Sequence, residues 1–195
     1  MVGRDGWDHA YDQRAMGVVR RVVLLRGVNV SGANKLPMAV FREMLAGLGL
    51  GLGHVETYIQ SGNAVLESAL AAPELERMIR DGIAARFGFT PETFVLGAGE
   101  IAAALVDHPF AAADPARVHV FFLKGQPVPD VAALQALAQP GDGWHLGDRR
   151  FTLHTPAGFG ASKLAERLPR LLPMTMTARN LRTVAALHAM MTART

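Results

Sequence analysis

The feature that most restricts the fold is a pattern of periodicities written twice along the chain. Residues 21–25 are apolar without alternation and read as a strand buried on both faces. Pro37 opens a helix in which Met38, Phe41, Leu45 and Leu48 recur at helical spacing, and the glycines at 47, 49, 51 and 53 end it. Residues 55–59 and 64–66 read as strands about a hairpin turn at Ser61, Gly62 and Asn63. Pro73 starts a second helix with Leu75, Ile79, Ile83 and Phe87 on one face, Gly88 stops it, and residues 93–96 form a short strand. The order is βαββαβ. After a connecting helix at 100–108, closed by Pro109, it begins again. Residues 117–123 are a strand, 130–138 a helix with Val131, Leu134 and Leu137 inward, and 144–146 with 151–154 a hairpin turning at Gly147 and Asp148. Ser162 caps a helix containing Leu164, Leu168 and Leu171, residues 174–177 are a strand, and Asn180 caps a final helix along Leu181, Val184, Leu187 and Met191.

The leading strands of the two halves also echo each other in letters, RVVLLRGVNV from residue 21 against RVHVFFLKGQ from residue 117, which reads as an internal duplication. Each half has the split βαβ order of a ferredoxin-like unit. Right-handed crossovers place both helices of such a unit on one sheet face, so the other face needs a cover, and the second half is the natural one. The expected fold class is α+β, with duplicated ferredoxin-like (βαββαβ) units and mainly antiparallel sheets. Residues 1–19 read as a poorly ordered N-terminal extension, 20–97 as the first unit, 98–112 as the connecting helix and 113–195 as the second unit.

Composition narrows the function classes. Half of the 195 residues are apolar, enough for a substantial core. The lack of cysteine excludes disulfides, thiolate nucleophiles and cysteine-ligated metals, and points to a reducing compartment, with the cytoplasm as the expected location. No apolar run reaches the roughly 18 residues of a membrane span, and residues 1–17 lack a signal-peptide core, so no membrane association is expected. Residues 163–195 carry Lys163, Arg167, Arg170, Arg179, Arg182 and Arg194 against Glu166 alone. Such a cationic end suits a phosphate-bearing partner, and a solvated helix face is the alternative.

One loop concentrates polar groups beyond the needs of a turn. Arg26, Gly27, Asn29, Ser31, Gly32, Asn34 and Lys35 lie between the first strand and the helix at Pro37. Two glycines let backbone amides approach a ligand closely, and the following helix start favours an anion. The loop is not a Walker A motif, because Ala33 and Asn34 stand where Lys and Ser/Thr are required. The competing account is structural: Asn29 and Asn34 satisfy their own loop and Lys35 is solvated. Ser61 and Asn63 sit in QSGNA, which lacks the first glycine of a nucleophile elbow, and no histidine is tied to Ser61 as a base. Ser162 and Lys163 are adjacent on a helix and do not face each other as a dyad would, which leaves Ser162 as a cap and Lys163 open to an anion. Arg179 beside Asn180 repeats that scheme, a guanidinium next to an N-cap. The seven histidines show no metal-ligand spacing, although His119, His145 and His154 fall on strands of one sheet. No dinucleotide fingerprint or close carboxylate pair occurs, so neither a cofactor nor a metal is expected, and no reaction can be assigned.

The segments LLRGVNVSGANKLPM, TYIQSGNAV, SKL at 162–164 and ARN at 178–180 together resemble the bacterial domain of unknown function 1697 family. The likeness runs from about residue 20 onward. This chain has Ser31 where the family's first motif usually has glycine, and Leu181 and Arg182 where its last motif usually continues with Trp and Asn. The resemblance implies a pair of ferredoxin-like units and no established activity.

The leading expectation is therefore a protein that holds a small anionic or nucleotide-like ligand at loop 26–35, with Ser61, Asn63, Lys163, Arg179 and Asn180 as further contacts. The alternatives are a nucleic-acid-binding module using the basic C-terminal segment, and a structural or self-associating protein without ligand. RNA-recognition domains share this fold class, yet the first strand lacks their aromatic pattern.

Overall fold

The structure, a computed structural model, describes residues 17–30, 32–48 and 54–193. The first half runs β1 (Val19–Arg26), α1 (Met38–Gly47), β2 (Val55–Tyr58), β3 (Asn63–Ser68), α2 (Ala72–Phe87), β4 (Glu92–Leu96) and α3 (Ala98–Val106). The second runs β5 (Val118–Leu123), α4 (Val131–Leu137), β6 (Gly143–Gly147), β7 (Arg150–His154), α5 (Lys163–Leu171), β8 (Met176–Asn180) and α6 (Leu181–Thr192), with one turn of 3-10 helix at Phe159–Ala161 ahead of α5. The strands form two four-stranded antiparallel sheets, ordered β2-β3-β1-β4 and β6-β7-β5-β8. The two orders are identical, and they fit a duplicated ferredoxin-like arrangement. The echoing segments at residues 21 and 117 open β1 and β5, which hold the same interior position in their sheets.

Alternation along each strand assigns its two faces. Val23, Leu25, Ala64, Leu66 and Val95 point at α1 and α2, where Phe41, Leu45, Leu75, Ile79 and Ile83 fill the space. Phe121, Leu123, Phe151 and Leu153 of the second sheet meet Leu134, Leu164 and Leu168 of α4 and α5 in the same way. The remaining faces share one core, with Val22, Leu24, Val65, Phe94 and Leu96 from the first sheet and Val118, Val120 and Phe122 from the second. Helices α3 and α6 pack on each other and belong to that shared core. The run at Val22–Leu25 is unalternating because both of its sides are covered, and none of its residues is more than 1 % exposed.

Two local features differ from expectation. Strand β2 ends at Tyr58, which pairs with Asn63, so the hairpin loop is residues 59–62 and Ile59 turns at φ 47° instead of continuing the strand. The strand expected at 174–177 lies at Met176–Asn180, since its register against β5 runs from Leu123↔Met176 to His119↔Asn180. Asn180 is thus the last strand residue and also the cap of α6, accepting from the Thr183 amide at 2.9 Å. The expected extension up to residue 16, Ser31, the glycines at 49, 51 and 53 and Arg194 lie outside the described residues. Among the described residues no helix is long and apolar enough to cross a membrane.

Candidate functional site

Register alone brings Arg179 to the junction of the two halves. It stands opposite Val120 in the β5–β8 ladder and so projects from the sheet face that meets the first unit. There its guanidinium uses every donor. Nε donates to Asn63 Oδ1 at 2.6 Å, Nη1 to Thr177 Oγ1 at 3.0 Å and the Ala178 carbonyl at 2.8 Å, and Nη2 to the carbonyls of Leu25 at 2.8 Å and Ser61 at 2.9 Å. All of these acceptors are neutral. With no carboxylate in the set, desolvation acts unopposed and pushes the Arg179 pKa down to about 10.

The same contacts answer where the hairpin lies. Leu25 donates its amide to the Gly62 carbonyl at 2.8 Å, and Asn29 Nδ2 donates to the Gln60 carbonyl at 2.9 Å, so the 59–62 turn sits beside the loop that follows β1. Between this corner and the edge strand β8 opens a cavity of about 390 Å³. One wall comes from the first unit and includes Arg26, Gly27, Asn29, Gln60 and Ser61. Arg179 and Thr177 stand on β8, and the far wall is apolar, with Phe121, Phe159, Ala165, Pro169 and Met176.

The residues singled out from the sequence divide into distinct groups. Arg26, Gly27, Asn29, Ser61 and Arg179 line the cavity, whereas Gly32, Asn34, Lys35, Asn63, Lys163 and Asn180 do not. Asn29 and Asn34 both take positive φ, 55° and 48°; Asn34 turns its amide onto its own segment, and Asn29 onto its own segment and the neighbouring 59–62 turn. Asn29 Oδ1 accepts from the Leu36 amide at 2.8 Å, its Nδ2 also donates to the Leu36 carbonyl at 2.9 Å, and Asn34 Nδ2 donates to the Gly27 carbonyl at 2.9 Å. These two side chains shape the loop and have little left for a ligand. Asn63 is buried and engaged at both polar atoms, its Nδ2 donating to the Tyr58 carbonyl at 3.1 Å and its Oδ1 accepting from Arg179. Lys163 lies in a separate surface groove with Arg167 and Arg170, and Ser162 is the α5 cap, accepting from the Ala165 amide at 3.1 Å. Arg26 and Lys35 are exposed and have no hydrogen-bond or ion-pair partner among the described residues. Of the two, only Arg26 faces the cavity.

The sequence reading missed the apolar wall. Phe159 belongs to the 3-10 turn ahead of α5, and its ring stacks on His119 at 4.1 Å and lies 5.9 Å from Phe121. The three histidines on the second sheet go to different places. His119 is under Phe159, His145 Nε2 lies 3.7 Å from Asp107, and His154 packs on Phe110 at 5.4 Å. Among the described residues no cluster of three or more such side chains is arranged for a metal ion.

Burial under Phe159 holds the His119 pKa down to about 4, and its buried Nδ1 has no partner among the described residues. The folded state therefore keeps this ring neutral while the unfolded chain takes up a proton near pH 6.5. Stability from this group is full above about pH 6.5 and is lost as the pH falls toward about 4. After discounting for the solvent that reaches a half-buried ring, the loss should be about 2 kcal/mol. Urea midpoints from pH 7 to pH 4 measure it, and His119→Phe should flatten that part of the profile.

Fold and cleft together define the class: a two-unit α+β protein with an uncompensated guanidinium at the junction, beside a cavity that is polar on one side and aromatic on the other. The chain belongs to the family described as "Protein of unknown function (DUF1697)", whose model matches residues 18–151. The SKL and ARN segments lie beyond the matched part. Among solved structures the chain is similar to a conserved bacterial protein from Streptococcus pneumoniae, at 26 % identity and a TM-score of 0.71 over 90 % of this chain and 99 % of that one. No curated protein matches the chain.

Proposed function

We propose that the protein binds a small anionic ligand in the cleft between its two units, with Arg26 as the direct contact and Arg179 supplying positive potential from behind. The observation that carries this reading is the Arg179 guanidinium, held out of bulk water by five neutral acceptors and no carboxylate. An unpaired desolvated charge is costly, and a ligand anion next to it recovers part of that cost. Arg26, exposed, lining the cavity and without a partner among the described residues, can make a charge-assisted bond to such an anion. Ser61 lines the same space. The cavity volume falls in the ordinary range for small-molecule sites.

The nucleic-acid alternative loses support from the same geometry. Both faces of each sheet are covered, so no open sheet surface remains for stacking bases. The basic C-terminal residues also do not form one continuous face: Arg182 pairs with Asp114 at 3.0 Å and Arg179 turns inward, while Lys163, Arg167 and Arg170 share a groove in which Arg167 pairs with Glu166 at 3.5 Å.

Thermal-shift and calorimetric titrations with inorganic phosphate, pyrophosphate and simple carboxylates test the reading. A ligand at a hundredfold its Kd should add about 2.7 kcal/mol to stability. Arg26→Ala should weaken binding by about 10- to 150-fold, the value of one charge-assisted contact, and leave the unliganded melting temperature within about 1 °C. No shift with any of these anions would end the proposal.

A further inference from the structure

We infer that the ligand of this cleft is a nucleoside monophosphate, a phosphate joined to a planar aromatic ring, with the phosphate at Arg26 and the ring on the Phe159 wall; this rests on the anion reading above. A bare inorganic anion would use only the polar corner of a cavity of about 390 Å³ and leave the half-buried Phe159 and the exposed Pro169 facing water, with Phe121 and Met176 behind them. Exposed apolar walls inside a cleft favour a ligand with an apolar surface of its own. The character of that wall narrows the choice. Phe159 is half-buried, its ring is fixed by stacking on His119 at 4.1 Å, and it still lines the cavity. A ring already packed against a neighbour needs less ordering when a ligand arrives, which makes it a preorganised stacking platform.

The two ends lie on opposite sides of the edge strand β8. Arg179 projects from the face that meets the first unit, while Phe121, opposite Ala178 in the ladder, projects from the other, and both line one cavity. The space therefore wraps the strand edge and joins a cationic corner to an aromatic wall. A ligand that fills it must be anionic at one end and flat and apolar at the other. Nucleoside monophosphates have that shape, and base–aromatic stacking tolerates any base, so the wall does not by itself select one.

Isothermal titration of the full chain with four probes separates this inference from the reading beneath it: inorganic phosphate, adenosine, adenosine 5′-monophosphate and cytidine 5′-monophosphate. Both monophosphates should bind about 5- to 150-fold more tightly than inorganic phosphate, the value of one stacked base. Phe159→Ala should bring them back to the level of phosphate and leave phosphate affinity unchanged. Phe159→Leu keeps the apolar bulk without the ring, should give the same loss, and serves if the alanine variant fails to fold; Phe159→Trp should restore the tighter binding. Equal affinity for phosphate and both monophosphates, or tighter binding that survives Phe159→Leu, would overturn the nucleotide assignment and leave the anion site standing. No binding of phosphate or of either monophosphate would overturn both.

Discussion

Gly62→Ala is expected to destabilise the protein by about 3 kcal/mol, read as a lower urea midpoint at unchanged slope. Gly62 closes the β2–β3 hairpin at φ 70°, a region that costs an L residue roughly 1–2 kcal/mol. A methyl group there would stand 2.6 Å from Val28 Cγ2 and 2.8 Å from Leu25 Cβ. Neither neighbour has room to withdraw, since Leu25 is 1 % and Val28 3 % exposed. Overpacking of this kind adds about 1–3 kcal/mol. The same hairpin presents the Ser61 carbonyl and Asn63 Oδ1 to Arg179, so the substitution should weaken anion binding as well. A cost below about 1 kcal/mol would mean that the loop after β1 yields easily to make room for the methyl group.

Arg179→Met should cost about 2–4 kcal/mol and also weaken anion binding, two effects that Arg26→Ala should separate. The guanidinium ties the second sheet to the first through Leu25, Ser61 and Asn63, which are 116 or more positions away in sequence. Methionine fills much of the same volume, so the loss reports the stranded acceptors and not a cavity. Relief of an unpaired charge works in the opposite direction and limits the cost. Arg179→Lys keeps the charge, yet a single ammonium cannot reach five acceptors arranged for a planar fork, and it should recover some binding but little stability. Chemical denaturation and phosphate titration of the three variants provide the comparison. If Arg179→Met were as stable as the parent protein, the clamp would contribute nothing to joining the units.

The fold could be read from the sequence because its signals are local. Apolar positions three and four apart on α2 and α6, the unalternating run of β1 and the caps at Ser162 and Asn180 each specify their element without reference to anything distant. The site could not be read in the same way, because it is assembled from segments that only the packing of the two units brings together. Loop 26–30, the 59–62 turn, Phe159 and β8 share no local pattern. Arg179 is the sharpest case. Beside an N-cap it looks like a surface base, and only the β5–β8 register shows that it projects into the junction. The asparagines of the loop illustrate a different limit. Positive φ and ligand binding both favour Asn, so residue type could not decide between them, and the hydrogen bonds at Asn29 and Asn34 assign both to the loop itself. Phe159 left no trace at all, lying in a glycine-flanked turn with no period.

The most direct test of the central claim is a crystal structure of the full chain grown with inorganic phosphate or adenosine 5′-monophosphate, read for where the phosphate sits. The phosphate is expected in the cleft, within hydrogen-bond distance of Arg26 and facing the Arg179 side of β8. Phosphate bound instead in the Lys163, Arg167 and Arg170 groove, with the cleft filled only by water, would contradict it.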